Sequence, residues 1–255
     1  MKYAQQELEL TREQRKTLNE KVIYLIDSSR SEQAGITEED IYNAYTGDGG
    51  LHGLSRSDFD NYHEYSEKKK EIENGQFFTP SDICQLVVES LRLSVSDVVA
   101  DLTCGKGSFF NFMPVEANCY GCELDAKAYK VAHYLYPAAN LELTDIRTYK
   151  PDLRFDYVVG NPPFNLRLYV GDREYLSQLY YCIKAAQVLK PLGILALVMP
   201  RSFLADGFMD KAMIREMEGQ YSFLGQIALP EADTLCLVSC SNVIALKRID
   251  LIIEA

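Results

Sequence analysis

The sequence has no tryptophan, only three histidines and too few basic residues to balance its acids. Its 255 residues include 26 Lys and Arg against 37 Asp and Glu, which gives a formal net charge of −11 at pH 7. A protein that holds nucleic acid unaided usually presents a basic surface, so this balance excludes a polyanion-binding module that relies on net charge. Charge can nevertheless be local, and Arg167, Arg173, Lys184 and Arg201 are candidates for a basic strip that faces phosphate.

Long apolar runs are also missing. No stretch is long enough to cross a bilayer, and no apolar segment follows a basic start as it does in a secretory leader. The seven cysteines lack the spacing of a disulfide scaffold, which favours a reduced compartment, so we expect a soluble, cytoplasmic protein. We also predict no metal site, because the histidines lack ligand spacing and Cys119 and Cys122 would point to opposite faces of a strand.

The length and a hydrophobic content of 47% fit one α/β domain with a smaller appendage. We assign residues 1–74 to a helical N-terminal region, in which apolar residues recur at helical spacing. This region contains a capping-box pattern between Thr37 and Asp40 and a loop with four glycines at 46–57. Residues 75–255 form the α/β domain.

Beyond Pro80, short apolar runs alternate with helical stretches. This alternation indicates βαβ units and a parallel sheet with helices on both faces, which is a Rossmann-like α/β fold. We expect the last two strands to form an antiparallel pair at the sheet edge. The predicted strands are 98–101, 118–123, 140–143, 155–160, 194–199, 223–229 and 241–246. The predicted helices after the first strand are 108–113, 126–135, 174–189 and 206–218.

A loop with two glycines follows the first predicted strand, where doubly wound sheets bind ligands. It reads Asp101-Leu102-Thr103-Cys104-Gly105-Lys106-Gly107. The glycines allow the backbone to approach a ligand closely, so we expect a cofactor to contact Asp101, Thr103, Gly105 and Gly107. A tight turn without a ligand would use the same residues. The loop is not a phosphate-binding P-loop, since Lys106 is followed by glycine rather than Ser or Thr.

Acidic residues end the next two predicted strands. Glu123 comes about 20 residues after the loop, where Rossmann-type sites place an acid on the ribose hydroxyls. Asp145 follows the third strand, where its carboxylate could accept a hydrogen bond from an adenine amino group. Together with Asp101, these acids predict a site for an adenosine group, which suits NAD and S-adenosyl-L-methionine equally.

The fourth predicted strand leads into Asn161-Pro162-Pro163-Phe164. Because proline has no N–H and restricts the residue before it, this loop is rigid and rich in free carbonyls. An exocyclic amine can donate one hydrogen to the Asn161 side-chain oxygen and the other to the Pro162 carbonyl, which frees its lone pair to attack a sulfonium methyl group. Phe164 offers a flat apolar face for a flipped base. The loop therefore predicts methyl transfer to an amine, with S-adenosyl-L-methionine as the cofactor.

With Gly75-Gln76-Phe77-Phe78-Thr79-Pro80 upstream, these motifs resemble those of γ-order N6-adenine DNA methyltransferases, especially the modification subunits of type I restriction systems. The resemblance covers residues from about Gly75 to Leu246. It implies that 75–255 is a methyltransferase catalytic domain and that Phe203, after the fifth strand, flanks the target base. It also implies that the methionine end of the cofactor is covered by Phe77, Phe78, Thr79 and Pro80.

The chain departs from the family pattern in two ways. Family loops usually carry a small residue where this chain has Lys106, which is tolerable if the lysine side chain points outward. The chain also ends soon after the last predicted strand, without room for a target-recognition domain. We therefore expect DNA as the substrate, together with a protein partner or a missing C-terminal domain that supplies target recognition.

Two other functions stay open. An Asn-Pro-Pro loop equally suits a glutamine amide in a protein or a guanine amine in RNA. The acidic charge is also consistent with a non-catalytic regulatory subunit that binds the cofactor. We rank adenine N6 in DNA first because of the segment from Phe77 to Pro80, and catalysis above regulation because every residue that the chemistry needs is present.

Overall fold

The computed structural model describes residues 1–6, 10–28, 36–44, 56–73, 77–200, 203, 215, 217, 219–229 and 233–240. The predicted strand 241–246, nearly all of the predicted helix 206–218, most of the glycine-rich loop 46–57 and Arg201 lie outside these residues. Within the described ranges, no helix combines the length and the apolar character that crossing a membrane requires.

A seven-stranded sheet forms the centre of the fold. The strands in the described part of the chain are β1 (Val99–Asp101), β2 (Cys119–Glu123), β3 (Asn140–Leu143), β4 (Phe155–Gly160), β5 (Arg167–Val170), β6 (Arg173–Leu176), β7 (Leu189–Pro200), β8 (Tyr221–Ala228) and β9 (Asp233–Cys240). The order across the sheet is β3-β2-β1-β4-β7-β9-β8, and β5 and β6 form a separate hairpin. The chain moves outward from β1 to β3 and then returns to β4, so the topological switch point lies between β1 and β4. Ligands bind at such a point in open α/β sheets.

The predicted α/β fold is confirmed. The first four strands agree with the prediction to within one residue, and they pair in parallel together with β7. Strand β7 begins at Leu189 rather than at residue 194, and its register against β4 shifts between Phe155 and Tyr157.

The expected antiparallel pair at the sheet edge is present, but its second strand lies at a different position from the one predicted. The strand that pairs antiparallel with both β7 and β8 is β9 at 233–240, ahead of the predicted strand 241–246. An antiparallel pair needs only a short connection, so the few residues after β8 are enough, and residues 233–240 are strand rather than loop. The predicted helix 174–189 is also shorter than expected, because Arg173–Leu176 pairs with β5 instead.

The helices in the described ranges are α1 (Arg12–Ser28), α2 (Glu38–Ala44), α3 (Tyr62–Glu73), α4 (Ser81–Leu91), α5 (Ala126–Leu135) and α6 (Ser177–Val188), with short 3-10 turns at 56–58, 109–112 and 116–118. Local chemistry explains several of their ends. Helix α5 begins where the Asp125 carboxylate accepts the N–H groups of Lys127 and Ala128, at 2.8 and 3.0 Å. Helix α4 starts directly after Pro80 and ends at Arg92, which adopts a left-handed conformation with φ of 49°.

Helices cover both faces of the sheet. On one face, α4 packs against Val99 of β1 and Val159 of β4 in one cluster of buried side chains. On the other face, α6 packs against the neighbouring residues Ala100 and Val158 in a second cluster. This alternation follows from the two-residue period of a strand and places β1 and β4 at the centre of a three-layer fold.

The N-terminal helices share a third cluster with α5, in which Val22 and Tyr42 lie beside Val131 and Tyr136. The capping box predicted before α2 is present, since the Thr37 N–H donates to Asp40 Oδ2 at 2.8 Å and the Asp40 N–H donates to Thr37 Oγ1 at 3.1 Å. The boundary between residues 74 and 75 stays a prediction, because residues 74–76 are not described.

Candidate active site at the carboxyl end of the sheet

The loop after β1 turns sharply at two glycines. Gly105 and Gly107 have φ values of +57° and +83°, a region that side chains with a Cβ rarely adopt. A Cβ on Gly105 would lie 3.3 Å from the Phe78 ring, and one on Gly107 would lie 2.7 Å from the Tyr136 ring. The backbone angle therefore favours glycine at both positions, and at Gly107 the close packing against Tyr136 requires it as well.

The two side chains at the start of this loop differ in what they can offer a ligand. Asp101 is 2% exposed, accepts the Thr103 N–H at 3.1 Å and lies 3.3 Å from the Tyr181 hydroxyl oxygen. Burial raises the pKa of Asp101 to about 7. Because its carboxyl group accepts the Thr103 N–H, Asp101 stabilises the loop from the buried side. In contrast, Thr103 Oγ1 is buried and has no hydrogen-bond partner among the described residues. An unsatisfied buried hydroxyl at this point fits a loop that binds a polar ligand.

Glu123 ends β2 next to the loop and is nearly buried. Its Oε2 accepts the Gly105 N–H and its Oε1 accepts the Asp125 N–H, both at 2.8 Å. Burial raises the pKa of Glu123, and these two hydrogen bonds act in the opposite direction. Each carboxylate oxygen accepts one of these bonds and retains a further lone pair, so Glu123 can hold the loop and a ribose hydroxyl together.

Asp145 is committed to a neighbour. Its two oxygens accept four hydrogen bonds from Arg147, three from the guanidinium group and one from the backbone. These bonds lower the pKa of Asp145, and the same guanidinium donates to the Tyr169 carbonyl at 3.0 Å. Contact with an adenine amino group would compete with Arg147, so the predicted adenine role of Asp145 stays a prediction that needs this pair to open.

The Lys106 side chain is buried, so it does not take the outward direction under which this departure from the family pattern would be tolerable. It is 2% exposed, its Nζ donates to the Tyr42 carbonyl at 2.9 Å, and it lies 3.9 Å from the centre of the Tyr42 ring. The residue lies between two left-handed glycines, and its ammonium group lies over the Tyr42 ring of α2 and 5.8 Å from the centre of the Phe78 ring. Burial lowers the pKa of Lys106 to about 7.

The Asn-Pro-Pro-Phe loop follows β4 and is adjacent to the loop after β1, because β1 and β4 are neighbouring parallel strands. Asn161 Nδ2 donates to Thr79 Oγ1 at 3.1 Å, which joins this loop to the upstream Phe-Phe-Thr-Pro segment. Gly160 lies against Tyr181, since a Cβ there would be 2.7 Å from Tyr181 Cζ. The Tyr181 hydroxyl donates to the Val159 carbonyl at 2.5 Å and accepts the Leu102 N–H at 2.9 Å, so one buried side chain ties the end of β4 to the loop after β1.

Helix α6 holds the far end of the same loop. The Ser177 hydroxyl donates to the Pro163 carbonyl. Asn165, with a φ of +57°, donates its N–H to Gln178 Oε1 at 2.9 Å, and Gln178 Nε2 donates to Asn165 Oδ1 at 2.9 Å. Ser177, Gln178 and Tyr181 were not predicted as site residues; the adjacent polar residues Ser177 and Gln178 at the start of the helix were the available signal.

Two acceptors of the loop remain open. Among the residues described, no donor contacts Asn161 Oδ1 or the Pro162 carbonyl. These are the acceptors that the sequence predicts for an amine. Phe164 is partly buried against the α4 side of the sheet.

Other predicted site residues lie in different environments. Phe78 is buried and Thr79 is 8% exposed, whereas Phe77 and Pro80 are exposed. Phe203 is 1% exposed within the α6 side of the core, and its predicted contact with the target base stays a prediction.

The predicted basic strip is not continuous. Lys184 is 5% exposed and belongs to the buried face of α6, so it does not face phosphate. Arg167 pairs with Glu174, and Arg173 stacks over the Tyr175 ring at 4.9 Å. Within the described residues, no group of three or more His, Cys, Asp and Glu side chains is arranged to hold a metal ion.

Comparison with known proteins gives consistent matches. The sequence model of the family described as N-6 DNA Methylase matches residues 61–231. Defense against restriction protein B of Escherichia phage P1 is 25% identical over 229 residues, which are 85% of this chain and 9% of that protein. Type II methyltransferase M.CvrRI of Paramecium bursaria Chlorella virus XZ-6E is 28% identical over 162 residues, which are 58% of this chain and 41% of that protein. The chain thus spans less than half the length of these curated relatives.

Solved structures support the fold. A crystal structure described as a modification subunit of a type I restriction enzyme from Vibrio vulnificus YJ016 superposes with a TM-score of 0.51 at 16% identity. The superposition covers 74% of this chain and 51% of that chain. At this identity the likeness concerns the architecture of the sheet and its helices.

Proposed function

Since the chain belongs to the N-6 DNA methylase family, we propose that it transfers a methyl group from S-adenosyl-L-methionine to the N6 amine of adenine in DNA. The observation that carries this proposal is a pair of acceptors in the Asn-Pro-Pro-Phe loop, Asn161 Oδ1 and the Pro162 carbonyl, that have no donor in the described part of the chain. Asn161 commits its amide nitrogen to Thr79, which leaves its Oδ1 and the Pro162 carbonyl for a ligand. A primary amine on a base has two hydrogens to donate, and the loop offers two acceptors.

The catalytic residues act on the target amine by hydrogen bonding. Acceptance of both amine hydrogens by Asn161 and Pro162 draws the nitrogen toward tetrahedral geometry and localises its lone pair. No strong base is needed before transfer. The ring of Phe164 stacks against the flipped base, with a contribution of roughly 1–3 kcal/mol. Pro163 keeps the loop rigid, and its carbonyl is satisfied by Ser177, so it does not compete for the amine.

The loop after β1 fits S-adenosyl-L-methionine, which supplies a sulfonium methyl group when it is bound. Gly105 and Gly107 let the backbone approach the cofactor, and the Thr103 hydroxyl is a buried polar group that lacks a partner within the described residues. Glu123 accepts a ribose hydroxyl while it keeps the Gly105 N–H in place. The Phe78 ring packs on Gly105 and bounds the cofactor pocket at this end of the loop.

We propose that target recognition comes from a protein partner or from a further segment of a longer protein. The formal net charge of −11 opposes unaided DNA binding. The candidate cations Arg167 and Arg173 are already paired with a carboxylate or a ring, and Lys184 is buried. A separate basic surface would therefore bring DNA to a pocket that is otherwise equipped for the chemistry.

Asn161→Ala tests the proposal. The variant removes one acceptor of the amine and should lower methyl transfer by about 100-fold or more, with little change in cofactor affinity. The assay measures transfer of labelled methyl groups to DNA that lacks N6-methyladenine, in the presence of the partner if the chain alone is inactive. Calorimetry measures cofactor affinity. Asn118→Ala is the matched control, because the Asn118 side chain is partly exposed and donates to the Val95 carbonyl at the surface, at 2.9 Å.

The same assay separates the competing substrates. RNA and protein fractions are offered beside DNA, and label confined to either of them would replace DNA as the substrate. Intact cofactor binding without transfer to any fraction, even with the partner present, would indicate a regulatory subunit instead.

A further inference from the structure

We propose that Thr79 is a positioning residue that sets the orientation of the Asn161 amide, in addition to any contact that the Phe-Phe-Thr-Pro segment makes with the cofactor. The inference rests on the proposed function, since it gives Thr79 a role in presenting the acceptor for the target amine. It assigns the threonine to the catalytic loop rather than to the cofactor pocket alone.

The asymmetry of the amide is the reason why orientation matters. A side-chain amide has a donor end and an acceptor end of nearly the same shape, and only the oxygen can accept a hydrogen from the target amine. If the Asn161 amide were rotated by half a turn, its NH2 group would face the NH2 group of the base. Catalysis thus requires something that holds the nitrogen end away from the substrate.

Thr79 is placed to hold that end. Its Oγ1 accepts from Asn161 Nδ2 at 3.1 Å across 82 residues of sequence, and the threonine is 8% exposed. In this arrangement the Asn161 oxygen is the end without a protein donor among the described residues. Because Thr79 accepts from the Asn161 nitrogen, the Asn161 oxygen stays available to accept from the target amine.

The backbone on both sides of Thr79 is anchored. The preceding residue, Phe78, is buried and packs on Gly105. The following segment opens α4, where Pro80 accepts the Cys84 N–H at 3.0 Å and the Ser81 N–H donates to the Gln5 side chain at 2.8 Å. Because its backbone is held on both sides, the Thr79 hydroxyl is a preorganised acceptor for the Asn161 amide, as an active-site positioning group must be.

Thr79→Val tests the role, because valine keeps the shape of threonine and removes the acceptor. The single-turnover rate of methyl transfer at saturating cofactor should fall by about 10- to 100-fold, since the amide nitrogen loses its partner and the productive orientation is no longer favoured. The dissociation constant for S-adenosyl-L-methionine should stay nearly the same. Thr79→Ser retains the hydroxyl and should restore most of the rate. Thr79→Ala repeats the test if the valine variant does not fold.

A second readout is independent of activity. In protein with ¹⁵N-labelled asparagine, the Asn161 side-chain NH2 resonances, assigned by their loss in Asn161→Ala, should shift in Thr79→Val and return toward wild type in Thr79→Ser. Unchanged resonances together with an unchanged rate would overturn the inference. A loss of cofactor affinity with an unchanged saturating rate would also overturn it, because Thr79 would then serve the cofactor alone.

The two proposals fail in different ways. If the wild-type chain with its partner methylated no DNA, the proposed function would fail, while the resonances would still decide whether Thr79 holds the amide. If DNA were methylated and Asn161→Ala were inactive but Thr79→Val were fully active, the positioning role alone would fail.

Discussion

Replacing Lys106 with methionine should remove a pH dependence of stability that this side chain creates. Lys106 is 2% exposed, and burial lowers the pKa of its ammonium group from 10.5 to about 7. Between these two pH values the unfolded chain binds the proton and the folded chain has lost it. The free energy of unfolding therefore rises with pH in this window, and below pH 7 the full penalty of burying the charge is present.

The size of the effect follows from the two pKa values. From pH 7.0 to 8.5 the contribution of Lys106 should raise the free energy of unfolding by roughly 1.5 kcal/mol. The contact of the ammonium group with the Tyr42 ring favours the charged form by about 1–2 kcal/mol, which is less than the roughly 5 kcal/mol that the lowered pKa represents, so desolvation should dominate. Methionine fills a similar apolar space between the rings and binds no proton.

The assay is urea unfolding of wild type and Lys106→Met, followed by circular dichroism at half-unit steps from pH 7.0 to 8.5. The difference between the two proteins isolates Lys106, because the Cys84 thiol that interacts with it has a pKa raised well above its usual value by burial, and the groups that do not interact with it titrate alike in both. We expect the wild type to gain stability relative to the variant as the pH rises. Parallel curves over the whole range would refute the reasoning, since they would mean that the ammonium stays charged on the Tyr42 ring and carbonyl.

Two further substitutions test the packing and the cofactor loop. Gly160→Ala should lower the free energy of unfolding by about 1–3 kcal/mol, because the new Cβ would lie 2.7 Å from Tyr181 Cζ. Gly225→Ala, whose Cβ would meet nothing within 4 Å, is the control in the same denaturation experiment, and equal midpoints would contradict the close packing. Glu123→Ala should weaken S-adenosyl-L-methionine binding by about tenfold or more, because it removes the proposed ribose acceptor and the acceptor of the Gly105 N–H. Calorimetry measures this, and an unchanged affinity would remove Glu123 from the site.

The fold could be predicted where the signal is local. The strands up to Gly160 and the helix Ala126–Leu135 follow from apolar periodicity and from punctuation by Asp, Gly and Pro, which act within a few residues. Prediction was less accurate after Leu166. There, strand or helix depended on pairing, because Arg173–Leu176 joins a hairpin and Asp233–Cys240 enters the sheet between β7 and β8.

The burial of single charged and aromatic side chains was the weakest part of the prediction. Lys106 and Phe203 are both buried. The sequence left the direction of the Lys106 side chain open, and the family resemblance placed Phe203 near the base. A long or large apolar side chain can lie at the surface or in the core. Which of the two it adopts depends on neighbours from distant parts of the chain. For Lys106 the deciding neighbour is Tyr42, which is 64 residues away in sequence.

Local sequence was sufficient for the α/β class, for the two loops and for their chemical character, because prolines, glycines and strand-end acids act through their own backbone and neighbours. Tertiary structure decided which atoms of the site are held by the protein and which are left for a ligand. Asn161 presents its oxygen because Thr79 accepts from its nitrogen, and the Tyr181 hydroxyl joins the end of β4 to the loop after β1. A hydrogen bond between residues 82 positions apart leaves no periodic trace in the sequence, since only the folded sheet brings its two ends within 3.1 Å.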